Sequence, residues 1–143
     1  MTELFVIDTS ALISAHLIPH SVSRKAYDLA LTKGIVVFSA STFHEFAVTF
    51  SREKFERYQA LEERLKMISL AEQKGLFVEV SLKLSVCRDP NDDMFLELAK
   101  TCEAVAIVSG DPDLLLLHPF KGIPILSPAD FLKKFKVKSG LST

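Results

Sequence analysis

Apolar and polar positions fall into two repeating patterns along this chain. Short unbroken apolar runs occur at Leu4–Ile7, Ile35–Phe38, Leu76–Val80, Ala104–Val108 and Ile123–Leu126. Between them, apolar residues recur three or four positions apart. A run with no polar alternation reads as a strand buried on both faces, and the wider spacing as an amphipathic helix. Thr9 or Ser10 can cap a first helix carrying Ala11, Leu12, Ala15 and His16, which Pro19 ends. Ser21 starts a second, with Ala26, Leu29 and Ala30 inward and Gly34 as its stop. A third begins near Ser41 and sets Phe43, Phe46, Ala47 and Phe50 on one face. The charged segment from Arg52 to Gly75 predicts a fourth, with Leu61, Leu65 and Ile68 as its apolar stripe. After the turn "RDPNDD", a helix points Phe95, Leu98, Ala99 and Cys102 inward. "SGDPDLLLL" reads as a turn and short helix, and Ser127-Pro128 opens a closing helix through Phe135. "KVKSGLST" is a polar tail. Strands alternating with helices predict an α/β fold with a parallel sheet covered on both faces.

Composition narrows the function without naming it. The chain has 143 residues, 48% of them hydrophobic, with a mean hydropathy of +0.25, which suits one folded domain over residues 1–143. A formal net charge of -1 gives no global basic field, so nucleic acid would have to be met by a local patch. Cys87 and Cys102 match no metal-finger spacing, and two cysteines are too few for a secreted disulfide scaffold. A reducing, cytoplasmic setting is expected. The apolar runs are too short to span a membrane, and the N-terminus lacks the basic region of a signal peptide. Walker A, G-x-G-x-x-G and G-x-S-x-G motifs are absent. The histidines, His16, His20, His44 and His118, have no ligand spacing.

The acids carry the chemistry. Asp8 follows the first strand directly, Glu45 lies in the helix after the second, Asp92 opens the helix reached from the third, and Asp111 follows the fourth. In a parallel sheet these positions gather at the carboxyl edge, where ligands bind. Singly, each acid reads equally well as a helix cap: Asp8 before the first helix, Glu45 in a Thr42-to-Glu45 capping box, Asp89 and Asp111 before prolines. Together they do not, because serine or threonine would cap as well, and two like charges at 4 Å repel by roughly 4 kcal/mol at an effective dielectric of about 20. Four such groups need protons or a cation, and an all-oxygen set suits Mg²⁺ or Mn²⁺.

In sequence order these segments resemble the PIN-domain family, in the branch of VapC-like ribonuclease toxins of prokaryotic toxin–antitoxin modules. "VIDTSALISA" resembles the first motif, with Asp8 as its acid. "FHEFAVTFSREKF" resembles the second, with Glu45, and "CRDPNDDMFLELA" the third, with Asp92 as the best-aligned acid and Asp93 beside it. "AIVSGDPDLLLL" resembles the fourth, with Asp111 and the auxiliary Asp113. Ser109 stands where the family often has threonine. "GIPILSPADFL" resembles the closing strand and helix. The resemblance spans nearly the whole chain, and the ordered set is more specific than any one motif.

The resemblance implies a PIN-like three-layer α/β/α fold around a mostly parallel five-stranded sheet of order 3-2-1-4-5. It also implies a Mg²⁺- or Mn²⁺-dependent endoribonuclease, frequent homodimers and inhibition by an antitoxin. Asp8, Asp92 and Asp111 would then hold the metal, and Glu45 would complete the catalytic set. Asp93, Asp113, Ser10 and Ser109 would be auxiliary. Arg52 and Lys54, with Arg57 nearby, are candidate RNA contacts; Lys133, Lys134, Lys136 and Lys138 are others from the closing segment. Each also reads as part of a solvated helix face. The stripe of Leu61, Leu65 and Ile68 is a candidate surface for self-association or for an antitoxin, with burial inside the monomer the alternative, foremost for Leu65. Three other functions stay open: a phosphotransfer domain on a similar sheet, a PIN scaffold that binds RNA or protein without cutting, and a DNA nuclease. Dehalogenase-like phosphotransfer wants a second aspartate where Ser10 stands.

Overall fold

The computed structural model describes residues 2–136. Its strands are β1 (Glu3–Ile7), β2 (Gly34–Phe38), β3 (Leu76–Phe77), β4 (Ala106–Val108) and β5 (Ile125–Leu126). They form one sheet of order β3-β2-β1-β4-β5, with every neighbouring pair parallel. The helices are α1 (Thr9–Leu17), α2 (Val22–Lys33), α3 (Ala40–Phe50), α4 (Leu61–Lys74), α5 (Asp93–Cys102), α6 (Pro112–Leu115) and α7 (Pro128–Phe135). The three-layer α/β/α arrangement and the mostly parallel sheet are as the motifs imply. Among the described residues no helix is long and apolar enough to cross a membrane.

Strand side chains alternate between two cores, as the pleat requires. Phe5, Ile7, Val36, Phe38, Ala106 and Val108 face α1, α2, α3, α4 and α7. Val6, Val37, Ile107 and Ile125 face α5 and α6. Both layers are apolar, which is why the strands read as continuous runs. The chain builds outward from β1 to β2 and β3, then returns on the other side of β1 as β4. The crevice beyond the carboxyl ends of β1 and β4 is therefore the point where strand order reverses.

Three local expectations are corrected. The third strand does not reach Val80. Val78 still donates its N–H to the Phe38 carbonyl at 2.8 Å, but the chain then leaves the sheet edge. Val78, Val80 and Leu84 pack instead on the α5 core, and Glu97 accepts the Leu84 N–H at 2.9 Å. The capping box of α3 is formed by Ser39 and Thr42, whose hydroxyls accept each other's N–H at 3.1 and 3.0 Å, so Glu45 is free of that duty. The fourth helix starts only at Leu61, after a connector with a 3-10 turn at Glu53–Phe55. Its buried stripe is Arg64, Ile68 and Ala71, while Leu61 and Leu65 are 41% and 49% exposed. The stripe is displaced because Arg64 points inward. The tail from residue 137, with Lys138, lies outside the described residues.

His16 sits in the core between Tyr27 and Phe46, with ring centroids 4.8 and 5.5 Å away, and its Nδ1 lies 2.8 Å from the Leu12 carbonyl. Burial holds its pKa below the usual histidine value, and the hydrogen bond to Leu12 opposes this only in part. The unfolded chain therefore takes up this proton first as pH falls below about 6.5, and stability is lost through that window. His16→Leu should melt below wild type at pH 7.5, because it gives up the ring contacts and the hydrogen bond. The gap should narrow by up to about 1.4 kcal/mol at pH 5.5. Paired denaturation curves at the two pH values check it; a constant gap would mean His16 titrates normally.

Candidate functional site

Asp8 ends β1 and is 3% exposed. Its carboxylate caps α1 by accepting the Ala11 N–H at 2.9 Å, so of the cap candidates Asp8, Thr9 and Ser10 it is Asp8 that serves. It also accepts from the Ser10 hydroxyl at 3.3 Å, the Gly110 N–H at 3.4 Å and the Ser109 hydroxyl at 2.5 Å. Burial still dominates and raises its pKa, with these hydrogen bonds opposing. Ser109 is fully buried at the end of β4 and also accepts the Asp111 N–H at 2.9 Å. One hydroxyl thus ties Asp8 to the backbone that presents Asp111. A Cβ at Gly110 would lie 2.8 Å from the Ser10 oxygen, which would have to rotate away from Asp8 to make room.

Asp111 caps α6 by accepting the Asp113 N–H at 2.9 Å. Asp92 ends the 3-10 turn that precedes α5, and its carboxyl hydrogen-bonds that of Asp111. Its pKa is pushed up to about 7, first by burial, then by the hydrogen bond and charge of Asp111, with Asp89 and Asp8 adding to it. Asp8, Glu45, Asp92 and Asp111, from four different crossovers, line one cavity of about 510 Å³. Ser10, Thr9 and Lys54 line it too. The Thr9 hydroxyl oxygen is buried there without a hydrogen-bond partner.

The neighbouring acids part ways. Asp93, a candidate auxiliary acid, does not line the cavity; it is buried and accepts the Val86 and Cys87 N–H groups at 3.0 and 2.9 Å. Burial pushes its carboxyl up, but those hydrogen bonds prevail and hold it below the usual range. Asp92 lines the cavity while Asp93 turns away to the 86–87 loop. Asp113 also stays outside the cavity. The Cys87 thiol is pushed up to about 12, by burial first and then by Asp93, and so stays protonated. Of the candidate cations, Lys54 reaches the cavity wall. Arg52, Arg57, Lys133, Lys134 and Lys136 do not line it.

The donor set fits a hard divalent cation. All four acids offer oxygen only, and Asp92 retains a proton toward neutrality, through burial first and then the nearness of Asp111. Among the described residues no group of three or more His, Cys, Asp or Glu side chains is close enough together to hold an ion as it stands. Mg²⁺ asks for less, since it is commonly held by one or two carboxylates with water completing the octahedron. The Asp92–Asp111 pair would offer two such carboxylates.

Comparisons with known proteins bear on the family and the fold. A PIN domain family model matches residues 5–113. The chain is 28% identical over 141 residues to the uncharacterized protein MJ1680 of Methanocaldococcus jannaschii, covering 92% of this chain and 90% of that one. Its fold is similar to the crystal structure of VapBC2 from Rickettsia felis bound to a DNA fragment from their promoter. That match has a TM-score of 0.61 at 11% identity, over 85% of this chain and 96% of the other. PAE2754 from Pyrobaculum aerophilum matches with a TM-score of 0.61 at 16% identity, over 92% and 88%.

A carboxyl raised from 3.8 to about 7 stabilises the fold below the lower value and loses that contribution as pH rises through the upper one. In EDTA at pH 8, Asp92→Asn should therefore be more stable than wild type, by about 1–3 kcal/mol after allowance for solvent screening. At pH 4.5 the difference should largely vanish. Melting curves at both pH values check it, and an Asp92→Asn protein less stable at pH 8 would mean that the pair is not under repulsion.

Proposed function

The chain belongs to the PIN-domain family, a family of nucleases, and from that premise we propose that it is a Mg²⁺- or Mn²⁺-dependent endoribonuclease, the toxin of a toxin–antitoxin pair. The observation that carries this reading is the convergence of Asp8, Glu45, Asp92 and Asp111 on one cavity beyond the sheet's carboxyl edge. A dehalogenase-like phosphotransfer domain would want a second aspartate two residues after Asp8, where Ser10 stands.

In this reading Asp8, Asp92 and Asp111 would hold the cation, and Glu45 would complete the set. Bound Mg²⁺ or Mn²⁺ supplies an activated water and neutralises charge that builds on the phosphate. Asp8 contributes a carboxyl group whose position is set by its four donors. Glu45 projects from α3 into the cavity with no ion pair among the described residues, so its carboxylate is available to orient the attacking water. Lys54 meets a backbone phosphate. Ser10 and Ser109 keep the Asp8 carboxylate in register.

The likeness of fold to the VapBC2 toxin–antitoxin structure supports an antitoxin partner for this chain. Leu61 and Leu65, exposed on α4, are the apolar anchors we assign to an interface with a second copy or with that antitoxin. The proposed setting is the cytoplasm.

Labelled RNA should be cut in Mn²⁺ and left intact in EDTA, and single-stranded DNA should be cut far more slowly. Asp8→Asn and Asp111→Asn should abolish cleavage, and Glu45→Gln should slow it at least about a hundredfold with its melting temperature preserved. Equal cutting of DNA would redirect the reading to a DNA nuclease, and no cutting by wild type would leave a binding scaffold. For the surface, Leu65→Lys should shift the wild-type mass toward monomer in light scattering. A monomeric wild type at high concentration would remove the homodimer.

A further inference from the structure

Arg64 is the largest fully buried side chain in the described structure, on a helix whose residues Leu61 to Glu63, Leu65 and Lys66 are exposed. An unpaired guanidinium could not persist there. Its Nε donates to the Gln59 carbonyl at 2.9 Å. Its Nη1 donates to the carbonyls of Phe50 at 2.7 Å and Arg52 at 3.1 Å, and its Nη2 to the Glu56 carboxylate at 2.6 Å. Every partner lies between residues 50 and 59. Phe50 is the last residue of α3, so the guanidinium also satisfies a helix-terminal carbonyl and sits at the favourable end of the helix dipole. The four bonds therefore close the connector between α3 and α4 onto one point.

That connector carries part of the cavity wall. Lys54 and Phe55 both line the cavity that holds the four acids. Phe55 packs edge-on against Phe50 at 5.8 Å, and the Lys54 ammonium lies 5.2 Å from the Phe55 ring centroid. The 3-10 turn that bears them spans only Glu53–Phe55, and its N-cap residue makes no side-chain capping bond. Its placement depends on what holds its two ends, and Arg64 binds carbonyls on both sides of it. Lysine could not replace this, because a single ammonium lacks the planar fork that reaches carbonyls spread along a loop.

We propose that Arg64 is a positioning residue for substrate binding: it locks the 50–59 connector so that Lys54 and Phe55 stay in the cavity wall, and thereby sets the affinity for the nucleic-acid strand. This inference rests on the nuclease reading above. Lys54 engages the strand in both ground and transition states, so releasing the connector costs binding more than bond cleavage.

The test combines kinetics with a readout that needs no substrate. Arg52, Lys54 and Arg57 are exposed trypsin sites within the connector. Arg64→Lys, which keeps the buried charge, should speed native-state trypsin cleavage at these sites about tenfold. With Mn²⁺ and a short single-stranded RNA it should raise KM about tenfold and leave kcat within about twofold. Lys54→Ala should raise KM comparably, and the double variant should stay within about twofold of the worse single one, since both act through one contact. Wild-type trypsin rates, a fall in kcat at constant KM, or multiplicative effects in the double variant would each overturn the proposal. Should Arg64→Lys fail to fold, Glu56→Gln removes only the exposed end of the lock; about threefold changes in the same direction are then expected, and none would overturn it. A wild type that cuts no RNA overturns the nuclease reading instead. The trypsin ratio and anisotropy of a labelled RNA strand then decide the lock and its effect on affinity.

Discussion

The burial of the Asp8 carboxylate is the constraint around which this molecule is arranged. A charge at the end of the central strand is tolerable only if it is fully hydrogen-bonded or balanced. The fold meets that need from three directions: the first turn of α1, the β4 hydroxyl of Ser109 and the glycine turn after it. Meeting it draws α1 and the β4–α6 turn onto the same point. It also fixes where β1 and β4 end relative to each other, with the Asp8 N–H bonded to the Val108 carbonyl at 2.9 Å. The turn so fixed is the one that carries Asp111.

From there the electrostatics follow. Asp111 is held by its own cap and by Ser109, so it cannot retreat when the end of the 3-10 turn brings Asp92 against it. Asp93 could relieve nothing, because its carboxylate closes the 86–87 loop with two backbone donors. Two adjacent aspartates thus divide the labour: one is spent on architecture and held ionised, the other is crowded and keeps its proton toward neutrality. Crowded carboxylates that repel one another are ones to which a divalent ion gains by binding.

The opposite wall of the cavity is organised by a cation rather than an anion. Arg64 gathers three carbonyls and a carboxylate, and so turns a connector with little apolar content into a defined surface. The same commitment rotates α4, leaving Leu61 and Leu65 in solvent and seating Ile68 and Ala71 in the core. One buried guanidinium therefore accounts for the shape of the cleft and for the apolar residues left on the outside of the helix.

The strands, most helices and their alternation were legible in the sequence, because period and end signals are local: an apolar run such as Leu4–Ile7, or a proline after Asp111, means the same thing wherever the chain folds. The gathering of the four acids was legible too, since parallel strands must deliver their following residues to one edge. What the sequence left open was decided by contacts distant along the chain. Whether Asp92 or Asp93 faces the cavity depends on the loop at Val86 and Cys87. Whether Leu65 or Arg64 faces inward depends on carbonyls 5 to 14 residues earlier. The length of β3 depends on whether Val80 pairs along the edge or covers α5. Each choice sets one local preference against a hydrogen bond or burial available only after the layers have packed. Local pattern thus determined the elements and the edge where the acids meet, while tertiary packing decided which side chains point into the site.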